Sequence, residues 1–194
     1  YQENYRHITE DRPIRVAVPV NLRPYFDSIT TKNFFVMVSA EFAPQKNEYT
    51  FAEILAITKD SLRAQINKEH LEKIFSYNVS NELMVVARAV PLFLKNLAMR
   101  LVYPQSALAN TTTVTNIGNI KVEKVYEPYI QTVHSFLSFS KGQSLKATIT
   151  SYQDTLVYTY TSAWQDTAIQ RRVFRQIAQD GIDVKIETNG VYYE

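Results

Sequence analysis

Asn33-Phe34-Phe35-Val36-Met37-Val38-Ser39-Ala40-Glu41-Phe42 is followed, after a short polar stretch, by Thr50-Phe51-Ala52-Glu53. Across this join the apolar residues change period. The first run is β-branched and aromatic and reads as a strand. The second is a capping box, in which a Thr hydroxyl accepts an orphan helix N–H and a Glu three residues on reaches back. Behind it Phe51, Ile54, Leu55, Leu62 and Ile66 share one helical face. A strand feeding an amphipathic helix is the unit of a layered α/β fold.

Upstream, Ile14-Arg15-Val16-Ala17-Val18-Pro19-Val20-Asn21-Leu22 reads as another strand. Pro19 cannot donate to a ladder, so that strand is expected to bulge or to end near an edge. Downstream, Asn67 restarts a helix carrying Leu71, Ile74 and Phe75, and a further helix is expected from Leu83 to about Tyr103, broken at Pro91. Residues 106–112 read as loop. Thr111–Thr115 is expected to be a strand leading into a turn at Asn116-Ile117-Gly118-Asn119. Tyr129–Phe139, Ser144–Tyr152 and Thr155–Ser162 read as three strands, the last two joined at Gln153-Asp154. Asp166 is placed to cap a helix that ends at Gly181, and Asp183–Thr188 to form a closing strand. The expectation is an α/β two-layer sandwich, a mixed sheet with helices on one face. Residues 1–12 read as a polar lead-in or linker, and 13–194 as a single domain. So abrupt a start reads as a piece trimmed from something longer.

Composition narrows the chemistry. The chain of 194 residues has no cysteine and four glycines, Gly118, Gly142, Gly181 and Gly190. Average usage would supply about fourteen. Glycines this sparse cannot build a phosphate cradle of the P-loop, Rossmann or kinase type. Without cysteine there is no thiol nucleophile, disulfide or thiolate metal site. Three histidines, at 7, 70 and 134, are too far apart in sequence to suggest a metal cage. A net charge of +2 gives no nucleic-acid footprint. No apolar run is long enough to span a membrane, and there is no signal-peptide pattern, so a cytoplasmic location is expected.

His7-Ile8-Thr9-Glu10-Asp11 formally matches H-x-x-x-D, but it is a short motif in a polar lead-in and chance accounts for it. His134, in Val133-His134-Ser135-Phe136, reads as a satisfied, partly buried strand histidine. Arg171, Arg172 and Arg175 read as the wet face of a helix.

A more specific pattern lies in Pro19-Val20-Asn21-Leu22-Arg23-Pro24-Tyr25-Phe26, followed by Lys32-Asn33-Phe34-Phe35. It continues at Pro91-Leu92-Phe93-Leu94-Lys95-Asn96, Thr115-Asn116-Ile117-Gly118 and Gly181-Ile182-Asp183-Val184-Lys185-Ile186-Glu187. In this order and spacing, from about Pro13 to Glu187, the chain resembles the C-terminal half of the alcohol acetyltransferases. These belong to the chloramphenicol acetyltransferase-like, condensation-domain superfamily. The resemblance implies two α/β halves facing each other across a tunnel. Acetyl-CoA or another acyl-CoA would be the co-substrate, with a small alcohol or amine as acceptor. The family's base belongs to an H-H-x-x-x-D motif in the N-terminal half. His7 does not match it: it lies too close to Arg23, has no His before it, and its Asp11 is followed by no Gly. The implied partner is therefore an N-terminal half that this chain lacks. The alternative is a non-catalytic binding or scaffolding module of the same fold. An isolated half is expected to self-associate through the apolar face meant for its partner.

The resemblance carries over Asn21, Arg23 and Asn33, with Gly118, as tunnel-lining positions, and Thr115 and Asn116 as candidate oxyanion donors. For Asn116 and Gly118 the alternative is a β-turn requiring a positive φ. For Arg23 it is a structural salt bridge.

Overall fold

The computed structural model describes residues 13–43, 48–83, 90–107, 109–140 and 142–189. His7 and Asp11 lie outside them. Five strands form one mixed sheet: β1 (Ile14–Asn21), β2 (Phe35–Phe42), β3 (Thr112–Asn119), β4 (Leu145–Tyr152) and β5 (Thr155–Ser162). The order across the sheet is β2-β1-β3-β4-β5. The outer pairs β1–β2 and β4–β5 are antiparallel, whereas β1–β3 and β3–β4 are parallel. Among the described residues four α-helices accompany it: α1 (Phe51–Gln65), α2 (Lys68–Leu83), α3 (Leu92–Ala107) and α4 (Ala168–Gln179). The expected α/β character and mixed sheet are present.

Strand register places the layers. Side chains opposite each other in a ladder share a face. Val16, Val18 and Val20 of β1 therefore lie with Val36, Val38 and Ala40 of β2 on one side. Through Val16–Thr112 and Val114–Ala147, that side continues to Ala147 on β4 and Tyr160 on β5. The helices α2 and α4 pack on it. Leu71 of α2 is fully buried against Leu22 and Val36, with Val20, Phe26, Phe34, Ile74 and Phe75 closing around them. The Phe34 and Phe75 rings meet edge-on at 5.4 Å. At the far end Phe174 of α4 meets Tyr158 and Tyr160 at 6.0 and 5.9 Å.

Local chemistry explains the boundaries. Thr50 caps α1 as expected, its Oγ1 accepting from Glu53 N–H while Glu53 Oε2 accepts from Thr50 N–H at 2.8 Å. Asn67 starts α2 through its Oδ1, which accepts His70 N–H at 2.9 Å. Asp166 accepts Ala168 N–H ahead of α4, and Gly181 follows it with φ +85°. Leu22 N–H donates to Phe34 O, so even-numbered residues of β1 point their nitrogens at β2. The nitrogen of Pro19 thus faces β3. Register with β3 has already ended at Ala17, so the proline removes no ladder bond.

Several expectations change. Of the face that sequence spacing selects, Phe51, Ile54 and Leu55 are exposed, Phe51 by 76%, whereas Leu62 and Ile66 are half-buried. The half-buried side is Ile57, Thr58, Ser61, Leu62 and Gln65. The helix begun after Pro91 does not stop at Tyr103; it continues through Pro104 to Ala107, so residues 106 and 107 are helical rather than loop. Its expected start at Leu83 is replaced by the end of α2 there, and residues 84–89 lie outside the described set. The Asn116–Asn119 turn is instead the end of β3, paired with β4 and carrying a β-bulge between Asn116 and Gly118. Asp183–Thr188 pairs with no strand among the described residues, and Ile186 is exposed beside a Lys185–Glu187 ion pair.

The largest change concerns Tyr129–Phe139. Glu127–Tyr129 is a single 3₁₀ turn, and the residues after it form an extended strap that joins no ladder. Both flanks of β4 are occupied, by β3 and β5, so no in-plane position beside β4 remains. The strap crosses the sheet face opposite the helices. There the hydroxyls of Thr150, Thr159 and Thr161 donate to the carbonyls of Val133, Ser135 and Leu137. Alternate carbonyls are held, as the two-residue period of an extended chain requires. His134 is exposed, not partly buried, and stacks on Phe136.

Candidate functional site

Apart from Asn33, the sequence candidates lie at the end of β1 and along β3 from its middle, on two neighbouring parallel strands. Asn21 ends β1 and Arg23 follows it; Thr115 and Asn116 lie on β3, with Gly118 close to its end. The two strands share register only at Val16–Thr112 and Ala17–Thr113. Beyond those pairs nothing in the ladder joins them. In open α/β sheets the carboxyl ends of adjacent strands are where ligands bind, because the chain leaves the sheet there and loops diverge.

On the β1 side the polar groups are engaged in shaping a loop. Arg23 donates from Nε and Nη2 to Thr30 O at 3.1 and 2.8 Å, and from Nη2 to Lys32 O at 2.7 Å. Its Nη1 reaches Asn21 Oδ1 at 3.2 Å, and the same oxygen accepts Arg23 N–H. Four of the five donors of a guanidinium are thereby used. Arg23 folds residues 23–32 back on themselves through carbonyls and an amide, not through a salt bridge. Asn33 is exposed just ahead of β2.

The β3 side is less engaged. Thr115 is half-buried, opposite Thr148 of β4, and its hydroxyl bonds to no group among the described residues. Asn116 is exposed and its Oδ1 accepts Gly118 N–H at 2.9 Å. That bond fixes the amide plane and leaves the Nδ2 hydrogens unused. Gly118 has φ +83°, with open space where a Cβ would stand, so glycine is required by backbone strain and not by crowding. The bulge leaves Ile117 unpaired and half exposed. A bulge of this kind re-aims side chains at a strand end.

Sequence reasoning missed the threonine face. Among the described residues Thr113, Thr148, Thr150 and Thr159 are the buried polar side chains. Thr113 donates to Gln143 Oε1 at 2.9 Å. Alternating Thr in Thr111–Thr115 and Thr155–Thr161 was the available signal. Tyr160 is also notable: burial, then the neighbouring Tyr158 hydroxyl 3.0 Å away, hold its phenol well above the ordinary range. It packs under α4, opposite the strap.

A shallow depression of about 210 Å³ at the α1–α2 junction is lined by Ala64, Asn67, Glu69, His70 and Lys73, none of them a sequence candidate. Among the described residues no three His, Asp or Glu side chains gather closely enough to hold a metal ion, and no helix is long and apolar enough to cross a membrane. No family model matches the chain, and comparison with curated proteins and solved structures finds no significant match.

Proposed function

We propose that the chain is the C-terminal half of a cytoplasmic CoA-dependent acyltransferase, folded like half of a chloramphenicol acetyltransferase. It supplies one wall of the substrate channel and lacks the half that carries the base. One observation carries this reading. The Asn-Leu-Arg and Thr-Asn-x-Gly segments, 94 positions apart from Asn21 to Thr115, lie on neighbouring parallel strands, just past the two residue pairs at which those strands are in register. Within that pair the roles divide. Arg23 organises the loop after β1, and Thr115 and Asn116 retain hydrogen-bond donors.

In the intact enzyme the upstream His takes the proton of an acceptor hydroxyl or amine, whose oxygen or nitrogen attacks the acyl-CoA thioester carbonyl. The tetrahedral intermediate carries its charge on the former carbonyl oxygen and collapses by breaking the C–S bond, releasing CoA as the thiol. Donors from Thr115 or Asn116 would stabilise that oxyanion, a contribution of about 3–4 kcal/mol in comparable sites. The half alone transfers no acyl group.

The bond from Gly118 N–H to Asn116 Oδ1 favours a second reading, a non-catalytic binding or scaffolding module in which these residues only build the bulge. Thr115→Val and Asn116→Ala in the protein joined to its upstream half separate the two. The first reading expects kcat to fall by about 100-fold or more with thermal stability unchanged. Lost stability with kcat per folded molecule intact supports the second. If the upstream coding sequence contains no H-H-x-x-x-D after a strand, the first reading fails.

A further inference from the structure

The two edges of the sheet are treated differently. At the β2 edge the outward backbone of Ser39 is occupied, its N–H donating to Gln65 Oε1 and its O accepting from Gln65 Nε2. Helix α1 runs beside that strand, and Glu41 adds a charge to it. These are the usual protections of an edge. Among the described residues the β5 edge has none of them. Its sequence, Thr155-Leu156-Val157-Tyr158-Thr159-Tyr160-Thr161-Ser162, has no charge, proline or glycine, a composition that favours strand pairing.

The direction of the open groups follows from the ladder. Ala163 N–H donates to Ser144 O, so odd-numbered residues of this strand face β4. Leu156, Tyr158, Tyr160 and Ser162 therefore turn their N–H and C=O outward. No backbone hydrogen bond reaches them among the described residues.

We propose that β5 pairs antiparallel with β5 of a second copy of this chain, about a two-fold axis at Thr159, making one continuous sheet. In this register Leu156 faces Ser162 of the other copy and Tyr158 faces Tyr160, and both pairs recur by symmetry. It is the one register that bonds all four outward residues reciprocally. Two-fold pairing sets a strand against itself, so the absence of charge is what lets this strand match its own copy. On the helix side tyrosine meets tyrosine, and on the strap side Thr159 meets Thr159. An eight-residue edge buries less than the roughly 1,200–2,000 Å² of a standard interface, so the dimer is weak, with Kd on the order of 10–100 μM. This assembly is independent of the acyl-transfer reading.

The test uses the absence of cysteine from the chain. Directly bonded pairs in such a ladder have Cα atoms about 5.5 Å apart, within disulfide reach. Leu156→Cys and Ser162→Cys proteins, each shown by circular dichroism to be folded, are oxidised separately and as a mixture. The proposal expects a cross-linked heterodimer from the mixture and little from either alone, because Leu156 and its own copy would stand roughly 20 Å apart. Sedimentation equilibrium of the unmodified chain should show a reversible dimer, weakened at least tenfold by Leu156→Pro, which removes an outward N–H. A strict monomer to several hundred micromolar, equal cross-linking by Leu156→Cys alone, or a dimer indifferent to Leu156→Pro would overturn it.

Discussion

Gln65, the last residue of α1, bonds both backbone groups of Ser39 on β2: Ser39 N–H donates to Oε1 at 3.1 Å, and Nε2 donates to Ser39 O at 2.7 Å. A side-chain amide here replaces the strand that the sheet edge lacks, and ties the end of a helix to a fixed register position. Gln65→Ala leaves two half-buried backbone groups without partners. The expected loss is about 1–3 kcal/mol, read as a lower urea midpoint with unchanged m.

Among the described side chains of α2, Leu71 alone is fully buried, set against Leu22 and Val36. Leu71→Ala should destabilise by about 2–5 kcal/mol. Leu71→Met, which nearly conserves volume, should lose less than about 1.5 kcal/mol. Denaturant unfolding of the two variants side by side checks the ordering.

Gly118 sits at φ +83° with nothing within 4 Å of a Cβ. Substitution therefore reports backbone strain alone. Gly118→Ala should destabilise by about 1–2 kcal/mol, and Gly118→Asn by less, since Asn tolerates this region better. Equal losses in thermal melts would show that the bulge can relax.

The strap is held by hydroxyls of Thr159 and Thr161, which donate to Ser135 O and Leu137 O. Thr159→Val with Thr161→Val removes both donors while nearly keeping shape. The strap should loosen before the sheet does. Limited chymotrypsin digestion should then cut after Phe136 at least several-fold faster, with β-sheet circular dichroism retained.

Tyr160 has a phenol pKa raised above its ordinary value by burial and by Tyr158. Above pH 10 the unfolded chain releases this proton and the folded one keeps it, so the folded state binds more protons and stability falls as pH rises. That contribution is complete below pH 10 and declines by up to about 1.4 kcal/mol per pH unit above it. Tyr160→Phe should flatten the alkaline limb of a stability–pH curve; an unchanged slope would assign that limb to other groups.

What could be read in the sequence was whatever a residue's immediate neighbours determine. The Thr50–Glu53 box, the Asn67 restart, the Gly181 stop and the β4–β5 hairpin all depend on a few adjacent residues, and all are present. Gln153, with φ 51°, supplies the positive φ that a two-residue hairpin turn needs. The strap was not legible, because Tyr129–Phe139 alternates like a strand, and only the filled flanks of β4 deny it a ladder. The face of α1 was misjudged for a related reason: which side a helix buries depends on where it docks, and Gln65 decides that. Of the site, the order of the motifs was visible, but not that Arg23 would engage the carbonyls of its own loop.

The seam between β1 and β3 has a consequence for how the chain assembles. Hairpin β4–β5 needs only a two-residue turn, and β1 and β2 are close in sequence. Val16 and Thr112, by contrast, meet only after a loop of nearly a hundred residues has closed. That closure is entropically opposed and is repaid by just two ladder pairs and the Arg15–Thr111 bonds. The sheet is therefore two sequence-local pieces joined at a long-range suture, which is expected to close last during refolding and to open first when the protein fluctuates. The candidate residues stand on both lips of that suture.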